Sequence, residues 1–391
     1  MQFEILAPAG SMESLIAGVR CGAHAVYLGG QTFNARRGAG NFSPQELQAA
    51  VQYCHTRGVK VYMTLNTLVS DSELPGAIAA AGNALDAGVD AFIVQDLGLA
   101  AALAAVYPGV HLHASTQCSV TTPAGFQALE KMGFRRAVIP REMTAAEIEE
   151  IRRSTQMELE LFVHGALCMC VSGQCYLSSV LGARSGNRGL CAQPCRLPFS
   201  ADASGSCDLS LKDLSLVRHL KKIGDLGVLS LKIEGRMKSV HYAASVVKAY
   251  REAIDSYFAA PEQFEVKKEW VEELDKVSHR AYTTGFYYGR PTEKDQIYGT
   301  SSYTQTSDFV GLVLDYDEKT GFATVEQRNN MKVGQEIEIF QPHLAGYRQI
   351  LQEMYNDEGE AIQVAPHPQQ IVKIRMDKPV EPYGILRRDI I

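Results

Sequence analysis

Short apolar stretches alternate with amphipathic stretches along the first two thirds of the chain. The stretches between the apolar runs have helical periodicity, whereas the runs themselves are short and rich in β-branched residues, as buried strands are. This alternation predicts eight strand-helix units between residues 3 and 258. In chain order, the predicted strands are FEILAPAG, AVYLGG, KVYMTLN, AFIVQD, VHLHASTQ, RAVIPRE, ELELFVHG and VLSLKIEGR.

Helix boundaries are clearest in SPQELQAAVQYCHTRG, residues 43–58. Ser43 can cap the first turn, Pro44 fits the first helical position, and Gly58 suits the end of the helix. Eight βα units in about 250 residues match a closed, TIM-like (β/α)8 barrel, and a doubly wound open sheet is the main alternative. We therefore predict an α/β barrel over residues 1–258.

The pattern changes after residue 258. Residues 259–304 are helical and then rich in turns, which predicts a connector. From residue 305, the sequence shows strands with alternating hydrophobic and polar positions, with the turn EKTG between two of them. This alternation predicts a small, barrel-like antiparallel β module over residues 305–391.

Polar residues follow several predicted barrel strands. Active sites of this fold lie at the C-terminal ends of the strands. Lys232, Glu234 and Arg236 alternate there and should face one way into the barrel, where one of them would transfer a proton. For any single residue, helix capping or filling of the mouth explains the polarity equally well. The remaining strand-end candidates are Asn66, Gln95, Asp96, His113, Ser115, Gln117, Arg141, Glu142 and His164.

Composition narrows the class of protein. A hydrophobic content of 46% supports a full-sized core, and a net charge of -6 argues against a protein that binds nucleic acid over its whole surface. Asp90, Gln95 and Asp96 interrupt the longest apolar run, and the N-terminus lacks the pattern of a signal peptide. We expect a cytoplasmic protein with no membrane partner.

Five of the nine cysteines lie between Cys168 and Cys195, directly after the seventh predicted strand. In a reducing compartment, clustered cysteines are more often metal ligands or redox groups than disulfides. Zinc and iron–sulfur clusters both accept four thiolates. Only Cys191 and Cys195 are spaced like a zinc hook, so the spacing favours a cluster. The insertion is predicted over residues 166–207, and LSLKDLSLVRHLKKIG after it is predicted to be the helix leading to strand eight.

The predicted metal ligands are four of these cysteines. Cys170 is a weaker candidate, because Cys168 and Cys170 should point to opposite sides of an extended chain, and Cys207 is held in reserve. A nucleophilic cysteine with His164 as its base is another alternative, although no third, orienting group is evident. The chosen ligands are Cys168, Cys175, Cys191 and Cys195.

Positive charge is concentrated around the cysteines. Residues 164–250 hold 11 Lys and Arg against 5 Asp and Glu, whereas residues 301–391 hold 9 against 14. This bias is either a solvated surface or a footprint for phosphates and carboxylates. On the second interpretation, phosphates would contact Arg184, Arg188, Arg196, Lys221, Lys222 and Lys238. Carboxylates would be bound by the guanidinium groups of Arg36, Arg37, Arg141 and Arg236, with Asn66, His113 and Gln117 lining the same site.

An ordered set of motifs resembles the collagenase-like peptidase family, peptidase U32, over nearly the whole chain. The motifs are HGALCMCVSGQCYLSSVLGARSGNRGLCAQPCRLPF, LAPAGSMESL, HASTQ, VIPRE, SLKIEGRMKS and RAYTTGFYYG. Members were named as proteases, yet several are implicated in oxygen-independent or prephenate-dependent hydroxylation of tRNA uridine, 23S rRNA cytidine or the ubiquinone ring. The first of these motifs, residues 164–199, is called the cysteine segment below. It is most similar to the same segment in members that hydroxylate rRNA, and members that hydroxylate tRNA share much of it.

The resemblance implies a 4Fe-4S cluster held by Cys168, Cys175, Cys191 and a fourth ligand that differs among members. Ser215 stands where some members have that fourth cysteine, which favours Cys195 here. Zinc remains the weaker alternative.

The leading hypothesis is an iron–sulfur protein that supports C5-hydroxylation of a pyrimidine in tRNA or rRNA. Prephenate is the candidate anionic co-substrate. A second chain of the same family is a candidate partner that would complete the active site. The chain has no HExxH, no GxSxG and no plausible Ser-His-Asp order, which a peptidase would need. The alternatives are a collagenase-like peptidase and a non-catalytic scaffold with a structural metal site.

Overall fold

Eight parallel strands form a closed barrel in a computed structural model that describes residues 3–198 and 209–390. Each barrel strand pairs with the next, and the last one pairs with both the first and the seventh, which closes the barrel. All eight predicted strands and the barrel fold are confirmed. The strands are β1 (Glu4–Pro8), β2 (Ala25–Gly29), β3 (Lys60–Leu65), β4 (Ala91–Val94), β5 (Leu112–Ala114), β6 (Phe134–Val138), β7 (Glu158–Ala166) and, after a short non-barrel strand β8 (Asp213–Ser215), β9 (Ser230–Ile233).

Helices follow the barrel strands and cover the outside of the barrel. In α2 the Ser43 hydroxyl accepts a hydrogen bond from the Glu46 backbone, Pro44 is the first helical residue, and Gly58 has a φ of +69° just after the helix. These are the boundary features that the sequence predicts. The helices are α1 (Met12–Arg20), α2 (Pro44–His55), α3 (Leu74–Asp86), α4 (Leu97–Val106), α5 (Pro123–Lys131), α6 (Ala145–Ser154), α7 (Leu177–Gly182), α8 (Leu220–Asp225), α9 (Val240–Ala259) and α10 (Lys268–Asp275).

The segment before the eighth barrel strand differs from the prediction of one long helix. Strand β8 pairs antiparallel with the last residues of β7, with His164 opposite Ser215, and the helical part is short: a 3-10 turn at Val217–His219 followed by α8. The reason lies in β7, which is longer than the other barrel strands. Its final residues leave backbone groups that need partners, and β8 supplies them. The predicted insertion boundary at residue 207, and Cys207 itself, lie outside the described residues.

A separate antiparallel sheet forms the C-terminal module. Its strands occur in the order β15-β14-β19-β11-β12-β18-β16, and a two-stranded ribbon joins β13 and β17. Gly321, at the end of the predicted EKTG turn, has a φ of +72°, which glycine adopts readily. The strands are β10 (Tyr282–Thr283) in the connector, then β11 (Ser307–Asp317), β12 (Phe322–Gln327), β13 (Met331–Lys332), β14 (Glu336–Phe340), β15 (Tyr347–Ile350), β16 (Met354–Tyr355), β17 (Val364–Ala365), β18 (Ile371–Arg375) and β19 (Ile385–Asp389).

Charged side chains fill part of the barrel interior. The Arg136 guanidinium contacts Glu4 at 2.5 Å and Glu160 at 3.3 Å, and the Lys232 ammonium contacts Glu160 at 2.6 Å. The Tyr62 hydroxyl donates to Glu4 at 2.8 Å. Because buried charges are tolerated only when they are paired, this network ties β1, β6, β7 and β9 together. Among the helices of the described residues, none is long and apolar enough to cross a bilayer.

Replacing Arg136 with methionine should lower the free energy of unfolding by about 3–5 kcal/mol, because it leaves buried carboxylates without their partner. Urea denaturation at neutral pH measures the loss. Arg153→Met is the matched control. Arg153 pairs with Glu149 on the surface of α6 with 74% of its side chain exposed, so its removal should cost less than about 1 kcal/mol. Equal losses in the two variants would contradict the role of the network.

Candidate active site at the mouth of the barrel

Glu234 lies just after β9, and its carboxylate binds two arginines from other strand ends. Arg36 donates to Glu234 Oε1 from Nη2 at 3.1 Å and from Nε at 3.3 Å, and Arg141 Nη2 donates to Oε2 at 3.3 Å. Burial alone would raise the pKa of Glu234, but the two guanidinium groups hold it below its ordinary value. Arg141 also lies 3.7 Å from the centre of the Phe162 ring. The mouth thus contains a two-arginine carboxylate site, bridged by the protein's own Glu234.

Arg236 is buried and held entirely by neutral groups. Its Nη1 donates to Thr64 Oγ1 at 3.0 Å, and its Nη2 donates to Asn34 Oδ1 at 3.1 Å and to Asn41 Oδ1 at 2.6 Å. Burial lowers the pKa of Arg236 to about 10. These contacts fix the loop after β2. Sequence reasoning missed Asn34 and Asn41, although polar residues in the long loop after a barrel strand were a visible signal.

Lys232 and His113 lie deeper in the barrel. The Lys232 ammonium is paired with Glu160 and sits 4.5 Å from the centre of the Tyr27 ring. Burial lowers the pKa of Lys232, against the effect of Glu160. Burial, followed by the charges of Arg136 and Lys232, lowers the pKa of His113 well below its ordinary value. His113 is therefore neutral near pH 7.

His164 packs among tyrosines from α9 and the connector. Its ring lies 5.2 Å from that of Tyr282 and 5.6 Å from that of Tyr250, measured between centroids. Its Nε2 lies 3.5 Å from the Tyr282 hydroxyl. Burial lowers the pKa of His164 to about 3. Within the described part of the chain, its side-chain hydrogen-bond partner is a tyrosine and not a cysteine, which leaves the cysteine-histidine alternative without geometric support.

Other strand-end residues anchor the cysteine segment. Asn66 donates to the Gln117 side chain at 2.9 Å, and Gln174 of the cysteine segment donates to the Gln117 carbonyl at 2.7 Å. Glu142 accepts hydrogen bonds from the Ser172 backbone at 2.5 Å and from its hydroxyl at 3.0 Å. These bonds fix the segment across the mouth of the barrel.

The five described cysteines of the segment, from Cys168 to Cys195, are free thiols. The Sγ atoms of Cys168 and Cys170 lie 3.2 Å apart, so the prediction that they point to opposite sides is wrong. The backbone bends at residues 169 and 170 instead of staying extended. Contact with Cys170, followed by the charges of Arg141 and Arg36, lowers the pKa of the Cys168 thiol to about 6, although burial opposes this.

Two further sulfurs receive backbone hydrogen bonds. The Leu177 N–H donates to Cys175 Sγ at 3.4 Å, and the Gln193 N–H donates to Cys191 Sγ at 3.3 Å. Over residues 3–198 and 209–390, no three or more His, Cys, Asp or Glu side chains converge as a metal site would require. Thiols are the ligand type of iron–sulfur clusters, and N–H donors and nearby cations stabilise the thiolate form.

The predicted RNA contacts divide into engaged and exposed groups. Arg196 is buried and donates to the Leu167 carbonyl at 2.8 Å and to the Leu211 carbonyl at 2.6 Å, so it closes the base of the insertion. Arg188 pairs with Glu73, and Lys221 with Glu262. The remaining cations, Arg184, Lys222 and Lys238, together with Arg37 from the carboxylate set, are exposed or partly exposed.

A small cleft lies beside the cysteine segment, and the connector forms one of its walls. Arg141, Glu142 and Cys168 line it on one side, and Gly285 and Phe286 on the other. Sequence reasoning noted the motif RAYTTGFYYG that contains Gly285 and Phe286 but assigned it no role. The glycine within this motif was a visible indication of a tight turn, and Gly285 has a φ of +56° in the structure.

Comparison with known families decides the membership of the chain. The model of peptidase family U32 matches residues 10–297, and the model of the C-terminal domain of that family matches residues 305–387. The chain belongs to peptidase family U32. The resemblance seen in the motifs is thereby confirmed.

Relatives of this U32 chain carry different functional names. It is 39% identical to tRNA hydroxylation protein P1 of Bacillus subtilis, over 98% of this chain and 94% of that one. It is 36% identical to the 23S rRNA 5-hydroxycytidine C2501 synthase of Escherichia coli, over 74% of this chain and 46% of that one. It is 33% identical to a collagenase of Porphyromonas gingivalis, over 87% of both chains.

Replacing Glu234 with glutamine should destabilise the U32 chain by about 1–3 kcal/mol at pH 7, because two arginines lose a buried carboxylate partner. A carboxyl group with a lowered folded-state pKa stabilises the fold above its unfolded pKa of about 4.3 and stops doing so as the pH falls through the folded value. The difference between wild type and variant should therefore shrink below about pH 4.

Urea unfolding at several pH values measures this difference. Glu262→Gln is the control, since Glu262 pairs with Lys221 on the surface with 87% of its side chain exposed. A Glu234→Gln effect that is absent at pH 7, or that is unchanged at acidic pH, would contradict the two-arginine site.

Proposed function

We propose that this U32 protein supports C5-hydroxylation of a pyrimidine in tRNA or rRNA. The observation that carries the proposal is the position of the cysteine segment. It is hydrogen-bonded across the barrel mouth, so that Cys168 shares a cleft with Arg141. This arrangement belongs to a chain that is 39% identical, over nearly its full length, to a protein named for tRNA hydroxylation.

A 4Fe-4S cluster would be held by the predicted cysteines. When bound, such a cluster supplies one-electron transfer. The chain contributes the thiols, the backbone N–H groups that stabilise two of them, and the positive charge of Arg36 and Arg141 beside a third. Zinc on the same thiols is the weaker alternative. The ligands would be Cys168, Cys175, Cys191 and Cys195.

Arg36 and Arg141 would bind the anionic co-substrate. Prephenate carries two carboxylates, and an arginine fork matches a carboxylate in two hydrogen bonds. Arg36 has 38% of its side chain exposed, so a ligand can reach it. Arg236 and Lys232 are already bound by internal partners and would position the loops around the site.

Glu234 would have two roles in this scheme. In the free protein it keeps the two arginines paired, and a substrate carboxylate would take its place on one of them. The released carboxylate would then lie at the site with its pKa no longer held down by both cations. The released carboxylate of Glu234 would then be a group in this mouth suited to accept a proton from a bound substrate.

Deleting the gene should abolish one hydroxylated pyrimidine in tRNA or 23S rRNA, measured by mass spectrometry of digested RNA. Complementation with wild type or with Cys118→Ala should restore it, whereas Cys191→Ala should not. Cys118 is the matched control because it lies outside the cysteine segment. Withholding prephenate from the cells should reproduce the deletion.

The other outcomes of this experiment separate the alternatives. Unchanged tRNA and rRNA hydroxylation in the deletion strain would contradict the proposal. Gelatin cleavage by the purified protein, lost on substitution of a mouth residue, would revive the peptidase. Full complementation by Cys191→Ala would retain the RNA function and remove the cluster from it.

Anaerobic purification should give a brown protein with about four irons per chain. Its visible and EPR spectra should be those of a 4Fe-4S cluster, and Cys191→Ala should lose most of the iron while Cys118→Ala keeps it. Metal analysis that finds zinc alone in protein prepared without air would contradict the cluster and support the weaker alternative.

A further inference from the structure

Three tyrosines near the end of the connector are exposed to solvent. Tyr288 is 53% exposed, and Tyr298 and Tyr303 are each 43% exposed. Large aromatic side chains usually bury most of their surface, so exposed ones grouped in one segment commonly mark a binding surface. The proposed chemistry uses only the buried part of this segment, at Gly285 and Phe286.

Two cations from the barrel and one from the connector stack on two of these rings. The Lys222 ammonium lies 4.4 Å from the centre of the Tyr288 ring. The Lys238 ammonium lies 3.8 Å and the Arg280 guanidinium carbon 4.1 Å from the centre of the Tyr303 ring. Such contacts hold both rings in place before any ligand binds.

Hydrogen bonds fix the same side chains further. The Tyr288 hydroxyl lies 2.7 Å from His219 Nδ1. Lys238 donates to the Ser278 carbonyl at 2.8 Å, and Arg280 donates to the Ser301 carbonyl at 3.2 Å. A surface that is already ordered loses little conformational entropy when it binds a partner.

The connector is attached to the mouth of the barrel. The Ala145 N–H, at the start of α6, donates to the Tyr287 carbonyl at 2.9 Å, and the Ile297 N–H donates to the Ser210 carbonyl at 2.8 Å. Lys238 follows Glu234 by only four residues. Tyr288 lies in the chain between Phe286 and Pro291, both of which line the cleft with Cys168 and Arg141.

Charge near the tyrosines favours a phosphate-bearing ligand. Three further cations are exposed nearby in the chain. Arg218 directly precedes His219, and Arg290 and Lys294 follow Tyr288. Of the acids in the connector turn, Asp295 is occupied by hydrogen bonds from Thr283 and Thr292. Aromatic rings interleaved with cations are the arrangement by which proteins bind single-stranded nucleic acid.

We propose that Tyr288, Tyr298 and Tyr303, with Lys222 and Lys238, form a tyrosine surface that binds unpaired RNA, while the buried Arg280 only holds the Tyr303 ring in place. Bases stack on the rings, and phosphates contact the cations. Bases inside a duplex are already stacked on one another and cannot use such a surface. This inference rests on the proposed function and narrows its substrate to a loop or single strand, from which the target base can enter the cleft.

The test is fluorescence anisotropy with the full-length protein and a short labelled oligouridylate, compared with a duplex of the same length. Tyr288→Ala and Tyr303→Ala should each weaken binding of the single strand about tenfold, the loss of one stacked base. Tyr288→Phe and Tyr303→Phe keep the ring and should bind as wild type does. Binding to the duplex should be weak and unaffected.

Tyr53→Ala is the matched control. Arg57 stacks on Tyr53 at 3.7 Å, but this tyrosine lies in the last turn of α2, at the opposite end of the barrel from the mouth. It should leave RNA binding unchanged. Circular dichroism melts of all variants check that they fold.

Three results would overturn the tyrosine surface: a wild type that does not bind the single strand, alanine variants that bind it as well as wild type, or phenylalanine variants that lose as much as alanine. RNA mass spectrometry of the deletion strain separates this inference from the proposed function. If RNA hydroxylation depends on the gene but the alanine variants bind RNA as wild type does, only the tyrosine surface is rejected. If RNA binding depends on the tyrosines but deletion of the gene leaves RNA hydroxylation unchanged, only the proposed function is rejected.

Discussion

Closure of the barrel is the constraint on which the rest of the molecule depends. Strand β9 pairs with β1 on one side and with β7 on the other. This closure places Glu234 next to Arg36, which lies 198 residues earlier in the chain. It also places β7, and therefore the cysteine segment that follows it, beside the end of β9. The other groups of the site reach it from the ends of further barrel strands, and Gly285 and Phe286 reach it from the connector.

The arginines at the mouth of the barrel differ in their hydrogen-bond partners. Arg236 is surrounded by Thr64, Asn34 and Asn41, all neutral, and its role is to hold the loop after β2. Arg36 and Arg141 share one carboxylate, so either can exchange Glu234 for a ligand while the other remains paired. A site whose own acid occupies the anion position avoids unpaired buried charge in the free protein. In the proposed function, the same acid would become available for proton transfer when the ligand binds.

The sequence predicted most of the fold because strand-helix alternation reports burial directly. It did not predict β8, since that strand exists only because β7 extends beyond the barrel, and strand length was not visible in the pattern. Cys168 and Cys170 were placed apart on the assumption of an extended backbone, which the bend at residue 170 removes. Arg196 was assigned to phosphate, yet it binds the carbonyls of residues 167 and 211, and such tertiary partners leave no trace in local sequence.

The site as a whole is assembled from the barrel mouth, the cysteine segment inserted after β7 and the connector that follows the barrel. The cysteine segment brings thiols to the mouth, and the connector brings aromatic rings and closes the cleft from the other side. The motifs that resemble the U32 family include one from the cysteine segment and one from the connector. That resemblance suggested a type of chemistry, but it did not show that the two segments face each other across one cleft. The central claim is that this assembled mouth adds oxygen to an RNA base.

The most direct measurement is anaerobic reconstitution of the reaction. Purified protein with its cluster, prephenate and unmodified RNA are incubated, and the RNA is digested and analysed by mass spectrometry. The account predicts that one pyrimidine gains a single oxygen atom, and that Glu234→Gln protein gives much less of this product. An RNA that remains unmodified with the iron-loaded protein, under conditions where a cell extract containing the same protein modifies it, would contradict the claim that this chain carries the active site.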